Sequence, residues 1–245
     1  MRKFDDRVFQ LSLDVTNEKQ AKEVVASAID RFGHIDVLVN NAGYGDNRPF
    51  EQVPASEFRL LVETVFFGTV TLTGEVLPYM RKKRRGHIIN ISSVGGRFAT
   101  PGNAAFHAAK WAVGGFTESL AQETSTFNVK VTALEPGGMR TGWGKRAFSG
   151  VYDLLPEYEE SVGAKLKALE GYWGNETGDP EKVAEVVLRI AEADYLPPHI
   201  LLGSDAYGFA KQASEERWRQ AEHWKPIADY IDFTDRNAMP ALPEA

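Results

Sequence analysis

The 245-residue sequence contains no cysteine, which excludes a disulfide scaffold, a thiolate nucleophile and a zinc–thiolate site. Long hydrophobic runs are missing too. Stretches such as Val65-Phe66-Phe67 fall far short of the roughly 20 residues that cross a bilayer, so no membrane partner is expected. The five histidines (His34, His87, His107, His199, His223) lie too far apart for His-Glu-x-x-His or related spacings, and no metal site is expected. Met1–Asp6 carry no apolar h-region, so the expected location is cytoplasmic. Basic charge is in the minority, 28 Lys and Arg against 34 Asp and Glu, and the net charge of −6 argues against a general nucleic-acid binder. The one basic run, Arg81-Lys82-Lys83-Arg84-Arg85, closes a helical segment, where cations complement the helix dipole and face solvent.

What is present is an ordinary globular balance. At 43% hydrophobic and 25% charged, the chain has enough apolar material for the core of one large domain spanning 1–245. Val8–Leu13 reads as a strand ending in Asp14-Val15, and Thr16–Phe32 as a helix capped by Thr16. Ile35–Val39 is a continuous apolar strand, followed by the turn Asn41-Ala42-Gly43-Tyr44-Gly45. Ser56 to about Arg84 is a long helix, interrupted near Gly68 or Pro78. Strand His87–Ile91, helix Asn103–Thr124 and strand Val129–Leu134 complete the core, taken as 1–145. Residues 146–232 carry further helices, one opening at Asp179-Pro180 and one capped by Ser204, and a last strand His199–Leu202; 233–245 is expected to be an arm. Alternating strand and helix predicts an α/β, Rossmann-like parallel sheet with helices on both faces.

Several motifs then fall in order: Asp14-Val15, Asn40-Asn41-Ala42-Gly43, Asn90-Ile91-Ser92-Ser93, Lys110, and Pro136-Gly137 with Thr141. Together they resemble the short-chain dehydrogenase/reductase superfamily over roughly residues 5–145. They sit where open parallel sheets bind ligands, at the carboxyl ends of the strands. The resemblance implies a nicotinamide cofactor, NAD or NADP. Asp14 (with Val15) would hold the adenine end, Asn41, Ala42 and Gly43 would face the adenosine ribose, and Pro136, Gly137 and Thr141 the nicotinamide end; Lys110 could bind a ribose hydroxyl, a phosphate or an anionic substrate, or form an unrelated salt bridge. It also implies catalysis by a Tyr-x-x-x-Lys pair, a serine 13 residues before the tyrosine, and an asparagine on the long helix.

Here the serine is Ser93 and the lysine is Lys110, but the tyrosine position is Phe106 and the asparagine position is Val65. Phenylalanine has no hydroxyl to act as acid or base, so standard proton transfer is expected to be severely impaired. His107 is Phe106's neighbour, but one residue along a helix turns it about 100° away, so a structural or surface role is favoured. Tyr44 is favoured as an apolar wall. The family's opening strand, Gly-rich turn and helix, which hold the pyrophosphate, have no counterpart: the sequence begins at what resembles the third strand, as if the first βαβ unit were absent. A sequence that starts late, a repurposed chain that closes the gap, and a partner that supplies the strands all remain open.

Three functions compete. One is an oxidoreductase that transfers hydride to or from a hydroxyl or carbonyl of a small apolar molecule. Another is a non-redox cyclase, isomerase or dehydratase on the same scaffold. The third is a non-catalytic protein, a homo-oligomer or one that pairs with an intact paralogue.

Overall fold

Apolar runs become four parallel strands: β1 Val37–Asn40, β2 Gly86–Ile91, β3 Val129–Pro136 and β4 His199–Leu202, in the order β1-β2-β3-β4. The computed structural model describes residues 7–147, 153–233 and 239–243; Met1–Asp6, Tyr152 and part of the expected C-terminal arm lie outside them. Val39 pairs with Ile89, Ile89 with Thr132, and Leu134 with Ile200, so the central strands are bonded on both sides.

Helices connect the strands: α1 Glu18–Phe32, α2 Ala55–Val62, α3 Gly68–Lys83, α4 Ala104–Thr124, α5 Gly142–Ala147, α6 Ala164–Ala168, α7 Pro180–Glu192, α8 Ser204–His223 and α9 Lys225–Tyr230. Side chains alternate across a strand, and the core divides accordingly. Ile88, Val129 and Val131 pack with Val25 of α1, Val76 and Met80 of α3, and Leu120 of α4. On the opposite face, Ile89 and Leu134 pack against Ile190 of α7, while α8 sends Ala206 and Ala210 onto Val94.

α1 starts one residue later than expected: Asn17, not Thr16, is its cap, accepting from the Gln20 amide at 3.1 Å. Thr16 instead donates to Asp14 Oδ1 at 2.8 Å. α8 likewise begins at Ser204 itself, preceded by Gly203 in the left-handed region (φ 113°). The long helix is interrupted where expected, by a π-helical turn over Glu63–Phe67 that ends at Gly68. With that turn, Ala55–Lys83 is long and apolar enough to cross a membrane by length and composition alone. Its Leu61, Val65, Val76 and Met80 are nevertheless almost fully buried in the protein's own core. The basic run is exposed, with Lys83 paired to Asp36 at 2.7 Å and Arg84 donating to the Thr126 carbonyl at 3.1 Å.

Val8–Leu13 departs from expectation. The segment joins no sheet, Val8, Phe9 and Leu11 stay exposed, and Phe9 rests edge-on against Phe32 with centroids 6.4 Å apart. A strand exists only as half of a hydrogen-bonded ladder, and no described strand lies beside this segment. The outer edge of β1 is correspondingly unpaired among the described residues, and Val39 is exposed there.

Candidate active site

The strand ends are braced by a buried polar chain. Asn40 and Asn90 face each other across β1 and β2, and Asn40 Nδ2 donates to Asn90 Oδ1 at 2.8 Å and to Thr73 Oγ1 at 3.1 Å. Asn90 Nδ2 in turn donates to Thr117 Oγ1 at 2.9 Å. One amide pair thereby fixes α3 and α4 against the sheet, which sets the height of everything on α4 above the strand ends.

Ser93 and Lys110 are both near the end of β2. Ser93 Oγ accepts from the Gly95 amide at 3.0 Å and starts a short turn over Val94–Gly96. Lys110 Nζ donates to the Ile91 carbonyl at 2.6 Å. Burial pulls the Lys110 amine down to about 8, because a desolvated ammonium loses hydration that one carbonyl only partly replaces. His107 is buried and fully engaged: Nδ1 meets the Gly95 carbonyl at 2.7 Å, and Nε2 accepts from the Thr100 amide at 3.0 Å. Burial lowers its pKa further. Its role is structural, because neither nitrogen is left to move a proton. Tyr44 is partly exposed, and desolvation together with Asp46 and Glu57 raises its phenol pKa.

Phe106 and Val65 meet. Both belong to one buried apolar cluster with Leu61, Ala105 and Ala109, flanked by Phe58, Val62, Phe66 and Trp143. Val65 lies at the middle of the π-helical turn and is 1% exposed. The Trp143 indole of α5 tilts against the Phe106 ring at 5.4 Å and fills the space that a Cβ on Gly45 would need. Trp173 and Tyr172 extend this aromatic row, with centroids 6.4 and 5.4 Å apart along it. A ring edge at 106 and an aliphatic side chain at 65 offer no donor or acceptor, so the cluster can pack an apolar group but cannot relay a proton.

The residues that the resemblance assigns to a cofactor are only partly brought together. Gly43 lies beside Lys110, a Cβ there falling 4.0 Å from Nζ. Asn41 and Ala42 are exposed in the same turn. Asp14 is exposed and its Oδ1 is engaged by the Thr16 amide and hydroxyl, which hold the carboxyl below its usual range. Val15 packs on Gly68. At the end of β3, Pro136 is buried, and the Asp205 carboxylate occupies the space a side chain on Gly137 would need. Asp205 Oδ2 also accepts from the Gly138 amide at 2.9 Å. Thr141 Oγ1 accepts from the Trp143 amide at 3.2 Å. A carboxylate thus holds the β3 turn and places negative charge at the end that the resemblance assigns to the nicotinamide.

Two charged groupings lay outside the sequence reading. Lys165 Nζ donates to Asn47 Oδ1 and to the Pro101 carbonyl, each at 2.9 Å, joining α6 to the loops beside the start of α4. Glu135, 1% exposed on β3, accepts from Arg97 Nε through both oxygens at 2.9 Å and from His199 Nδ1 at 2.8 Å. A carboxylate inside an apolar strand was the available signal for the second grouping. Its partners lie on distant segments that local pattern does not connect.

The family profile described as short chain dehydrogenase matches residues 1–151. The chain is 39% identical over 223 residues to oxidoreductase BOA17 of Botryotinia fuckeliana, covering 91% of this chain and 81% of that protein. A solved short-chain dehydrogenase from Streptomyces avermitilis superposes with a TM-score of 0.84 at 32% identity, over 95% of this chain and 84% of that one. A second structure, ElxO with NADP bound, gives a TM-score of 0.63 at 27% identity, over 78% of this chain and 74% of that one.

Proposed function

The chain belongs to the short-chain dehydrogenase family, and from that premise we propose that these 245 residues form a redox-silent member, with a non-redox role toward a small apolar molecule. The observation that carries this reading is the burial of Phe106 and Val65 in one apolar cluster capped by Trp143. Two positions that the family uses for proton movement have become one packing unit. A single lost hydroxyl would leave a polar hole, whereas here the neighbouring side chains are also apolar and close over the site. The Asp205 carboxylate on the β3 turn adds support, since it holds an amide at the nicotinamide end and places negative charge there.

A second reading is favoured by the retained Ser93 and Lys110 and by the NADP-bound neighbour. In it, the chain still takes NAD or NADP and lacks only the acid. The two readings separate on carbonyl reduction of small apolar ketones with NADH or NADPH. The redox-silent reading expects both the wild-type protein and Phe106→Tyr to stay at background. General acid catalysis by a positioned group contributes roughly 10²–10⁴-fold. A rise of that size in Phe106→Tyr would overturn the redox-silent reading in favour of the second.

A further inference from the structure

Two amines, Lys110 buried and Lys165 half-buried, are pulled down to about 8 by burial. Their surroundings differ. Lys165 is held by Asn47 Oδ1 and the Pro101 carbonyl, and Asn103 Oδ1, in the amide orientation that satisfies both of its atoms, accepts a third bond at 3.0 Å. Three oxygens around three N–H groups make a cage for an ammonium. Lys110 has one acceptor, the Ile91 carbonyl at 2.6 Å, and among the described residues no charged partner acts on it. Beside it lies the Phe106 ring, with its centroid 5.7 Å from Nζ. With phenylalanine at 106, no phenol is available to share its proton.

We propose that Lys110 is a nucleophilic amine that captures a small, uncharged, apolar aldehyde or ketone as an imine. Amines become nucleophiles when desolvated in apolar surroundings without a carboxylate partner, and that describes Lys110 and not Lys165. The proposed approach to Nζ is past Gly43, which is exposed and carries no side chain. A Cβ there would stand 4.0 Å from Lys110 Nζ and 3.4 Å from Val65 Cγ2. Val65 and Phe106, whose side chains carry no donor or acceptor, favour an apolar carbonyl.

In the reaction the Nζ lone pair adds to the carbonyl carbon, forming a C–N bond. The oxygen gains the proton that nitrogen gives up. The C–O bond then breaks and the oxygen departs as water with the second N–H proton, leaving a neutral C=N, and hydrolysis reverses the sequence. The inference stands apart from the redox question, because its readout needs no nicotinamide.

The test uses the whole protein with propanal and sodium cyanoborohydride, which delivers hydride to C=N and leaves a stable propyl-lysine that peptide mapping locates. Lys110 is expected to be labelled at least about tenfold faster at pH 7.5 than exposed lysines such as Lys19 and Lys211, with its rate rising through pH 8 and not pH 10.5. Lys165, caged by oxygen, should lag behind Lys110. Gly43→Leu, at a position outside the left-handed region, should slow labelling of Lys110 and leave Lys19 and Lys211 unchanged. Lys110→Met should remove the fast site altogether. Labelling of Lys110 no faster than that of Lys19, or a fast site that persists in Lys110→Met, would overturn the proposal.

Discussion

Replacing Phe106 with alanine is expected to lower the unfolding free energy by about 3–5 kcal/mol, the range for emptying a buried aromatic position. For a chain of this length that corresponds to a fall of roughly 6–20 °C in Tm. The expectation follows from where the ring lies. Phe106 is 8% exposed, packs with Leu61, Val65, Ala105 and Ala109, and supports the Trp143 indole from below. Removing it leaves a void between α4, the π-helical turn and α5, and three separate elements would have to move together to close it. Phe106→Leu keeps most of the volume and should cost under about 1.5 kcal/mol. Urea denaturation of the two variants checks the difference. If the ring merely occupied an open reaction pocket, alanine and leucine would both be nearly neutral.

Glu135→Ala is expected to cost a comparable amount, about 3–5 kcal/mol, because removing one member of a buried charged group strands the others. Glu135 is 1% exposed, and its two oxygens take both contacts from Arg97 and one from His199. The Arg97 side chain is 36% exposed and can partly rehydrate, which places the loss toward the lower end of that range. The double variant Arg97→Ala/Glu135→Ala should lose clearly less than the sum of the two single variants, since the second substitution removes a charge the first has already stranded. Additive losses in thermal unfolding would show that the two residues act independently.

The sequence carried the frame of the fold and less of its closure. β2, β3 and β4 and helices α1, α4 and α7 were legible because each buries one stripe or run that its local period reveals. Ser93, Phe106 and Lys110 are placed by the family resemblance and its spacings, and the structure sets the turn after Ser93 against Phe106, where a Cβ on Gly95 would lie 3.2 Å from its ring. Val8–Leu13 was misread because strand propensity says nothing about whether a neighbouring strand is there to pair with. Nothing in the local pattern around Trp143 marks it as part of the site. Its part in the site depends on α5 folding back across Gly45 onto Phe106, a contact with no local signature. The same holds for Lys165 and for the Arg97–Glu135–His199 group. Each joins segments far apart in the chain, and no period of 2 or 3.6 encodes such a meeting.

On the proposed reading, these residues keep the scaffold of the family and not its redox centre. Calorimetric titration of the folded 245-residue protein with NADH and with NADPH decides it. No saturable heat is expected up to millimolar nucleotide, with the fold verified in the same sample by its far-ultraviolet circular dichroism. Saturable binding of either nucleotide in the micromolar range would contradict it, and would return the chain to the oxidoreductase reading with only its acid replaced.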